Sequence, residues 1–355
     1  MQTPVGLLSR EERARRIERA TRGLYRWYVD RSQAKRAWRV DSSFDWRAIR
    51  TDHDPDILRL IEGYFAVEQY VPDYTAKGVL LLRESYGRSQ FQIRWGAEEA
   101  KHADLWRNAL LFAGRWSPDR VEQYAADLRS ASWELPWDDP VHIVFYTVFQ
   151  ELATKLNYAN LARLAAGSTP ETARHHDPVL LAICRTIVAD EAAHYAFYLD
   201  LARILLTYTP VEALEALEDV MREFAMPAQA IVPNWPEIQE AILRTGVYGP
   251  RTFFLDVLQV ALGQLGVESR RALRDGIRRL RLVPDEDGNL RHTIAAEVLD
   301  VPQLDRDVRR ALDRIRQHEE ETGLALVDPT LPEPGPLHAL IAEPPVKDLV
   351  APNRP

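Results

Sequence analysis

The stretch "RWGAEEAKHADLW", Arg94 to Trp106, decides how this chain folds. Read as a helix, one face runs through Trp95, Glu99, His102, Trp106 and Leu110. A tryptophan four residues before Glu99 and another four after His102 put a carboxylate and an imidazole inside an apolar stripe. Burying either one bare costs several kcal/mol. The pair must therefore be neutralised, salt-bridged or bound to metal.

The spacing recurs. "ADEAAHYAFYLD", Ala189 to Asp200, carries Glu191 and His194, on a face reading Cys184, Ile187, Glu191, His194, Tyr198 and Leu201. Glu-x-x-His arises by chance about once in a chain of this composition, so two matches alone prove little. Two further helices each place a lone glutamate in an apolar stripe. One reads Ile61, Tyr64, Phe65, Glu68, Val71; the other reads Val144, Val148, Glu151, Thr154, Tyr158. The order is then Glu68, Glu99-x-x-His102, Glu151, Glu191-x-x-His194, the ligand inventory of a di-iron or di-manganese carboxylate bundle. Two divalent ions offset four carboxylates, and one imidazole per ion leaves positions open for dioxygen. The i, i+3 spacing sets Glu and His about 4.5 Å apart along the axis, so both reach one site. Glu98 and Asp190, next to two of the ligand glutamates, are candidates for orienting the ligands. Ordinary salt-bridged or capping carboxylates explain one such pair easily and six ordered positions poorly.

The rest of the chain fits a helical protein. It has 355 residues, 46% of them hydrophobic, enough for one large core or two ordinary domains. The single cysteine, Cys184, excludes an intramolecular disulfide. The N-terminus lacks an apolar run of signal-peptide length, and no stretch approaches a membrane span. A cytoplasmic protein is expected. Helical periodicity predicts segments near 10–38, 55–84, 88–113, 118–130, 140–166, 177–207, 210–224, 235–245, 250–263 and 268–281, with a hairpin-like turn at "PDEDGN". The expected fold is all-α, a ferritin-like four-helix bundle with additional flanking helices. Residues 1–50 would form a basic helical segment packed on a core of 51–325, followed by a Pro-rich tail over 326–355. Net charge is −8, yet residues 1–40 hold eleven Lys/Arg against four Asp/Glu, and "RRALRDGIRRLR", Arg270 to Arg281, holds six arginines. Overall acidity argues against nucleic acid, while an acidic partner is expected to dock on the N-terminal residues Arg15, Arg16, Arg19, Arg22 and Arg26, followed by Lys35, Arg36 and Arg39, with Arg270 to Arg281 as the alternative.

Several runs resemble the soluble acyl-acyl carrier protein desaturases, over roughly residues 55–265. "EQYVPDYT" is similar to that family's first ligand helix, with Glu68 as ligand. "WGAEEAKHADL" is similar to its W-T-A-E-E-N-R-H-G-D-L and gives Glu99 and His102. "YTVFQELAT" resembles Y-T-S-F-Q-E-R-A-T, giving Glu151 as ligand and Thr154 as the catalytic hydroxyl beside the oxygen-binding site. "ICRTIVADEAAHYAFY" resembles the last ligand helix, with Glu191 and His194. Departures are Ala100-Lys101, Ala192-Ala193, Tyr195, and Val67 where the plant enzymes carry a threonine.

The resemblance implies two iron ions cycling between Fe2+ and Fe3+, with manganese as the alternative metal. It implies dioxygen as oxidant, a ferredoxin-type electron donor, a fatty acyl chain on acyl carrier protein as substrate, and a homodimer. The reaction would remove hydrogens from two adjacent methylenes. The nearest rival is a di-iron oxygenase, hydroxylating or N-oxygenating, on the same scaffold. A ribonucleotide reductase small subunit, a storage ferritin and a non-catalytic helical module fit less well. A membrane desaturase would need spans and His-rich boxes.

Overall fold

A computed structural model describes residues 8–335, except 114–115, 136, 227, 279–281, 285–289, 293–297 and 329–330. Repeated Asp-Pro and Ser-Pro pairs set several helix starts, an acceptor at the N-cap followed by a residue whose missing N–H is no loss there. Thus Asp54 caps α2 (Pro55–Glu68), Ser117 caps α5 (Pro118–Leu128), Asp139 caps α6 (Pro140–Ala166) and Asp177 caps α7 (Pro178–Tyr208). Gly167, at φ 58°, ends α6 in the left-handed conformation that favours glycine.

The bundle core consists of α2, α4 (Tyr86–Phe112), α6 and α7, with α6 and α7 packed along most of their length. It is the expected ferritin-like all-α architecture. α1 (Arg10–Trp27) lies against α4 and α7 and continues through a π-helical turn, Tyr28–Ser32, and a 3-10 turn, Gln33–Arg36. Its backbone approaches α4 so closely that a Cβ on Gly87 would sit 2.5 Å from backbone atoms of Thr21 and Arg22. Further helices flank the core: α8 (Pro210–Glu223), α9 (Trp235–Thr245), α10 (Pro250–Thr252, Phe253–Leu258 and Gln259–Gln264 in succession) and α11 (Arg270–Arg278). Strands β1 (Leu282–Pro284) and β2 (Leu290–His292) pair antiparallel, and the hairpin-like turn expected at "PDEDGN" lies, past Pro284, outside the described residues.

Two expectations need correction. The helix expected over 55–84 is broken: α2 ends at Glu68 and α3 (Val71–Leu81) restarts after Gln69 and Tyr70. Pro72 has no N–H to give to the carbonyl of Glu68, and its ring crowds that turn. Sequence reading also stops short of α12 (Val301–Thr322), which packs on α1 and α7 through Leu304, Val308, Leu312 and Ile315. Most of the Pro-rich tail lies outside the described residues. Among those described, no helix is long and apolar enough to cross a membrane.

Candidate metal centre

The four core helices bring all six anticipated ligands together. Glu68 comes from the end of α2, Glu99 and His102 from the middle of α4, Glu151 from α6, and Glu191 and His194 from α7. All six are at most 5% exposed. They form two overlapping groups, Glu68–Glu99–His102–Glu191 and Glu99–Glu151–Glu191–His194. Within each, one ligand atom per residue lies within 4.8 Å of every other. Glu99 and Glu191 belong to both, which is the pattern of two neighbouring cations sharing two carboxylates.

The imidazoles are aimed by their surroundings. His102 turns Nδ1 to Glu99 Oε2 at 3.1 Å, while its Nε2 faces Asp190 Oδ2 at 3.3 Å. His194 turns Nδ1 to Glu99 Oε1 at 2.9 Å and Glu151 Oε2 at 3.4 Å, while its Nε2 meets Glu98 Oε2 at 2.7 Å. Each ring thus presents one nitrogen inward and is held by an outer carboxylate through the other, as metal-binding histidines require. Glu98 and Asp190 occupy the positions expected of them.

The outer carboxylates are themselves braced by residues that sequence reading did not place at this site, Arg36 among them, which it counted with the exposed docking charge. Arg36 forms ion pairs with both Asp190 and Glu98, the latter at 3.4 Å, and donates to the Tyr28 hydroxyl at 2.7 Å. Tyr28, in the π-helical turn, donates to Glu98. Trp38 Nε1 donates to Asp190 Oδ2 at 2.8 Å, and its ring lies parallel to that of His102 with centroids 6.2 Å apart. Two aromatic residues that the helical pattern reads as core also reach ligands. Trp95 Nε1 donates to Glu151 Oε1 at 3.0 Å, and the Tyr158 hydroxyl donates to Glu68 Oε1 at 2.9 Å. Tyr198 instead donates to Gln92.

Electrostatics show what this arrangement demands. Burial, then the charge of Glu99, pushes Glu68 up to about 8. Burial and the charges of Glu99 and Glu151 raise Glu191 well above the carboxylate range. For His102 burial opposes the charge, but Glu99, Asp190 and Glu68 outweigh it and lift the imidazole to about 10. Glu99 is itself lowered to about 2, burial being overcome by the two histidines. Protons thus supply the positive charge that four clustered carboxylates need. Even so, Glu99 Oε1 and Glu151 Oε2 face His194 Nδ1 at 2.9 and 3.4 Å without a well-aligned hydrogen bond. Three buried ligand atoms that meet without hydrogen-bonding, in an O/N set, fit a pair of iron or manganese ions.

Thr154 lies one turn beyond Glu151. Its hydroxyl is 2.9 Å from Glu191 Oε2 and 3.1 Å from the carbonyls of Gln150 and Glu151, so it reaches the cluster as well as its own helix. With Val67 and Met226 it borders two cavities. One, about 30 Å³, touches Glu68, Glu99, Glu151 and Glu191 and is walled by Tyr74, Trp133 and Tyr146. The other, about 100 Å³ and mostly apolar, extends between α2, α6 and α9.

The two basic surfaces differ. On α1, Arg19 pairs with Glu319, Arg22 with Asp328, and Arg16 with Glu12, so much of its charge is internally matched. On α11, Arg270, Arg271, Arg274 and Arg278 are exposed, while Leu273 and Gly276 face inward.

A profile of the fatty acid desaturase family matches residues 67–283. The chain is 32% identical over 242 residues to the chloroplastic stearoyl-acyl-carrier-protein 9-desaturase 6 of Arabidopsis thaliana, covering 63% of this chain and 59% of that one. It is 31% identical over 182 residues to an acyl-acyl-carrier-protein desaturase of Cucumis sativus, covering 49% and 44%. The chain therefore matches roughly half of the length of these relatives. The X-ray structure of DesA2 from Mycobacterium tuberculosis, a candidate acyl-ACP desaturase, superposes with a TM-score of 0.51 at 17% identity, over 72% of this chain and 94% of that one. At that identity the likeness speaks for the fold.

Proposed function

This chain belongs to the fatty acid desaturase family, and from that premise we propose that it is a di-iron, dioxygen-dependent desaturase. Its substrate would be a long-chain acyl thioester on acyl carrier protein, into which it introduces a cis double bond. The observation that carries the reading is the pair of overlapping ligand groups beside one cavity, which shares the walls Val67, Thr154 and Met226 with a second, mostly apolar one. Glu68 and His102 would hold one iron and Glu151 and His194 the other, with Glu99 and Glu191 shared. Such a pair would supply dioxygen activation: the two hydrogens of adjacent methylenes, with two electrons from the donor and two protons, would reduce one O2 to two waters.

The protein's own residues do the positioning. Val67, Met226, Ile238 and Trp235 offer an alkyl chain a water-excluding wall. The Thr154 hydroxyl holds a proton between Glu191 and the cavity, where one is needed as oxygen is reduced. Trp95 and Tyr158 fix the outer oxygens of Glu151 and Glu68, and Glu98 and Asp190 fix the imidazoles, so little reorganisation remains when charge builds up. The exposed arginines of α11 suit an acidic carrier protein better than α1 does. A ferredoxin-type donor, a homodimer and a cytoplasmic setting complete the reading.

Aerobic turnover on a panel of carrier-protein thioesters, with the product weighed by mass spectrometry, tests it. Loss of two hydrogens is expected. Val67 beside Thr154 keeps the oxygenase reading in view, and gain of one oxygen would select it. A protein that bound no iron at all would be a non-catalytic module.

A further inference from the structure

Two buried phenol hydroxyls find no hydrogen-bond partner among the described residues. Tyr64 and Tyr248 both line the cavity of about 100 Å³ that Val67, Thr154 and Met226 share with the metal-side cavity, and neither hydroxyl meets a hydrogen-bonding atom of those residues. Tyr64 is only 9% exposed. Its ring packs against both Tyr158 and Trp106, at centroid distances of 4.9 and 5.1 Å, and these two stack on each other, so the phenol is held in place. The opposite wall is close: a Cβ on Gly63 would meet Ile238 at 2.5 Å. Buried donors are almost always satisfied. A tunnel for plain hydrocarbon needs neither hydroxyl, since phenylalanine would fill the same space.

We propose that Tyr64 and Tyr248 donate hydrogen bonds to an oxygen of the acyl substrate, and that this oxygen sets which carbons reach the metals. The inference rests on the acyl-substrate reading above. Along α2 the cavity runs from Val67 to Leu60, about 10 Å of helix axis. Two sources offer the same acceptor chemistry: the thioester carbonyl, or an oxygen substituent within the chain itself.

Isotope-edited infrared spectroscopy separates them. Iron-loaded protein, kept anaerobic, is mixed with a long-chain acyl thioester labelled at the thioester carbonyl or, in a second arm, with one labelled at a mid-chain ketone. Hydrogen bonding lowers the stretching frequency of whichever carbonyl occupies the cavity. Tyr64→Phe and Tyr248→Phe should each reverse part of that shift, weaken binding roughly tenfold and broaden the spread of oxidised positions in the product. A shift at the thioester label assigns the carrier-side carbonyl, and a shift at the ketone alone assigns an oxygenated chain. An unshifted carbonyl in both arms, or a shift that neither variant alters, overturns the proposal. Failure of the unaltered protein to bind any acyl thioester overturns the acyl reading instead. Iron content verifies folding of each variant, and either one alone is sufficient for the test.

Discussion

Stripping the metals should make the stability of this protein fall as pH rises. In the metal-free chain His102 keeps its proton up to about 10, against an ordinary 6.5; burial opposes this, but Glu99 and Asp190 prevail. The folded value lies above the unfolded one, so the contribution is complete below pH 6.5 and drains away as pH climbs towards 10. His194 is displaced in the same direction. Glu68, raised from 4.5 to about 8, adds the same sign over its own window. Each extra proton bound by the folded state is worth about 1.4 kcal/mol per pH unit. A chain of 355 residues has an unfolding entropy of roughly 0.7 kcal/mol/K, so one such proton moves Tm by about 2 °C per unit. Between about pH 7 and pH 9 the metal-free Tm should drop by at least about 4 °C. Calorimetry of chelator-treated protein measures this. Ferrous ion, or zinc as a redox-silent substitute, should raise Tm and reverse the slope, because the ligands bind metal only when deprotonated. A metal-free Tm that stayed flat or rose over that range would refute the idea that protons substitute for the cations.

Other outcomes are expected from single changes. Glu151→Ala and His194→Ala should each lose at least one metal from a stoichiometry of about two per chain, and full iron content in both variants would remove the six-ligand assignment. Thr154→Val should keep its metals yet release more reduced oxygen as peroxide for each product formed, whereas unchanged coupling would leave Thr154 with only its helix-carbonyl bonds. Charge reversal at Arg271 and Arg274 should raise KM for a carrier-protein substrate and flatten its salt dependence. Arg19→Glu should instead cost about 3–5 kcal/mol of stability, because its guanidinium pairs with Glu319 where both side chains are at most 10% exposed. Equal effects of the two changes on KM would undo that distinction.

The candidate ligands were legible because each sits in an apolar stripe at helical spacing, where a carboxylate or imidazole is out of place. Their supports were not. Arg36 and Trp38 reach Asp190 across 154 and 152 residues of chain, a separation that no local periodicity encodes. Trp95 and Tyr158 carry the apolar signature of core residues, and the N–H or O–H that makes them more than that does not alter the pattern. The arginines of α1 were visible as charge, but their partners Glu319 and Asp328 lie far along the chain. Sequence displays a surplus of charge without showing what will neutralise it. Pro72 announced the break after Glu68, and there the long apolar run outweighed the proline in the reading. α12 has apolar residues at helical spacing too, but they are thinly set among many charges.

The brace from Arg36 to Asp190 and Glu98 has a consequence for biosynthesis. Arg36 leaves the ribosome long before α7 exists, and closing a loop of that length is paid for only after local helices have formed. Tyr28, Arg36 and Trp38 also precede the stretch that matches the family, residues 67–283. Until α7 emerges, Arg36 has only Glu98 to pair with at the centre, and His102 lacks the outer support of Asp190. A nascent chain should therefore be unable to retain metal, and iron should be captured only late, by a nearly complete polypeptide. Deleting only residues 1–40, which carry Tyr28, Arg36 and Trp38, should leave the four core helices with all six candidate ligands and a loosened grip on both cations.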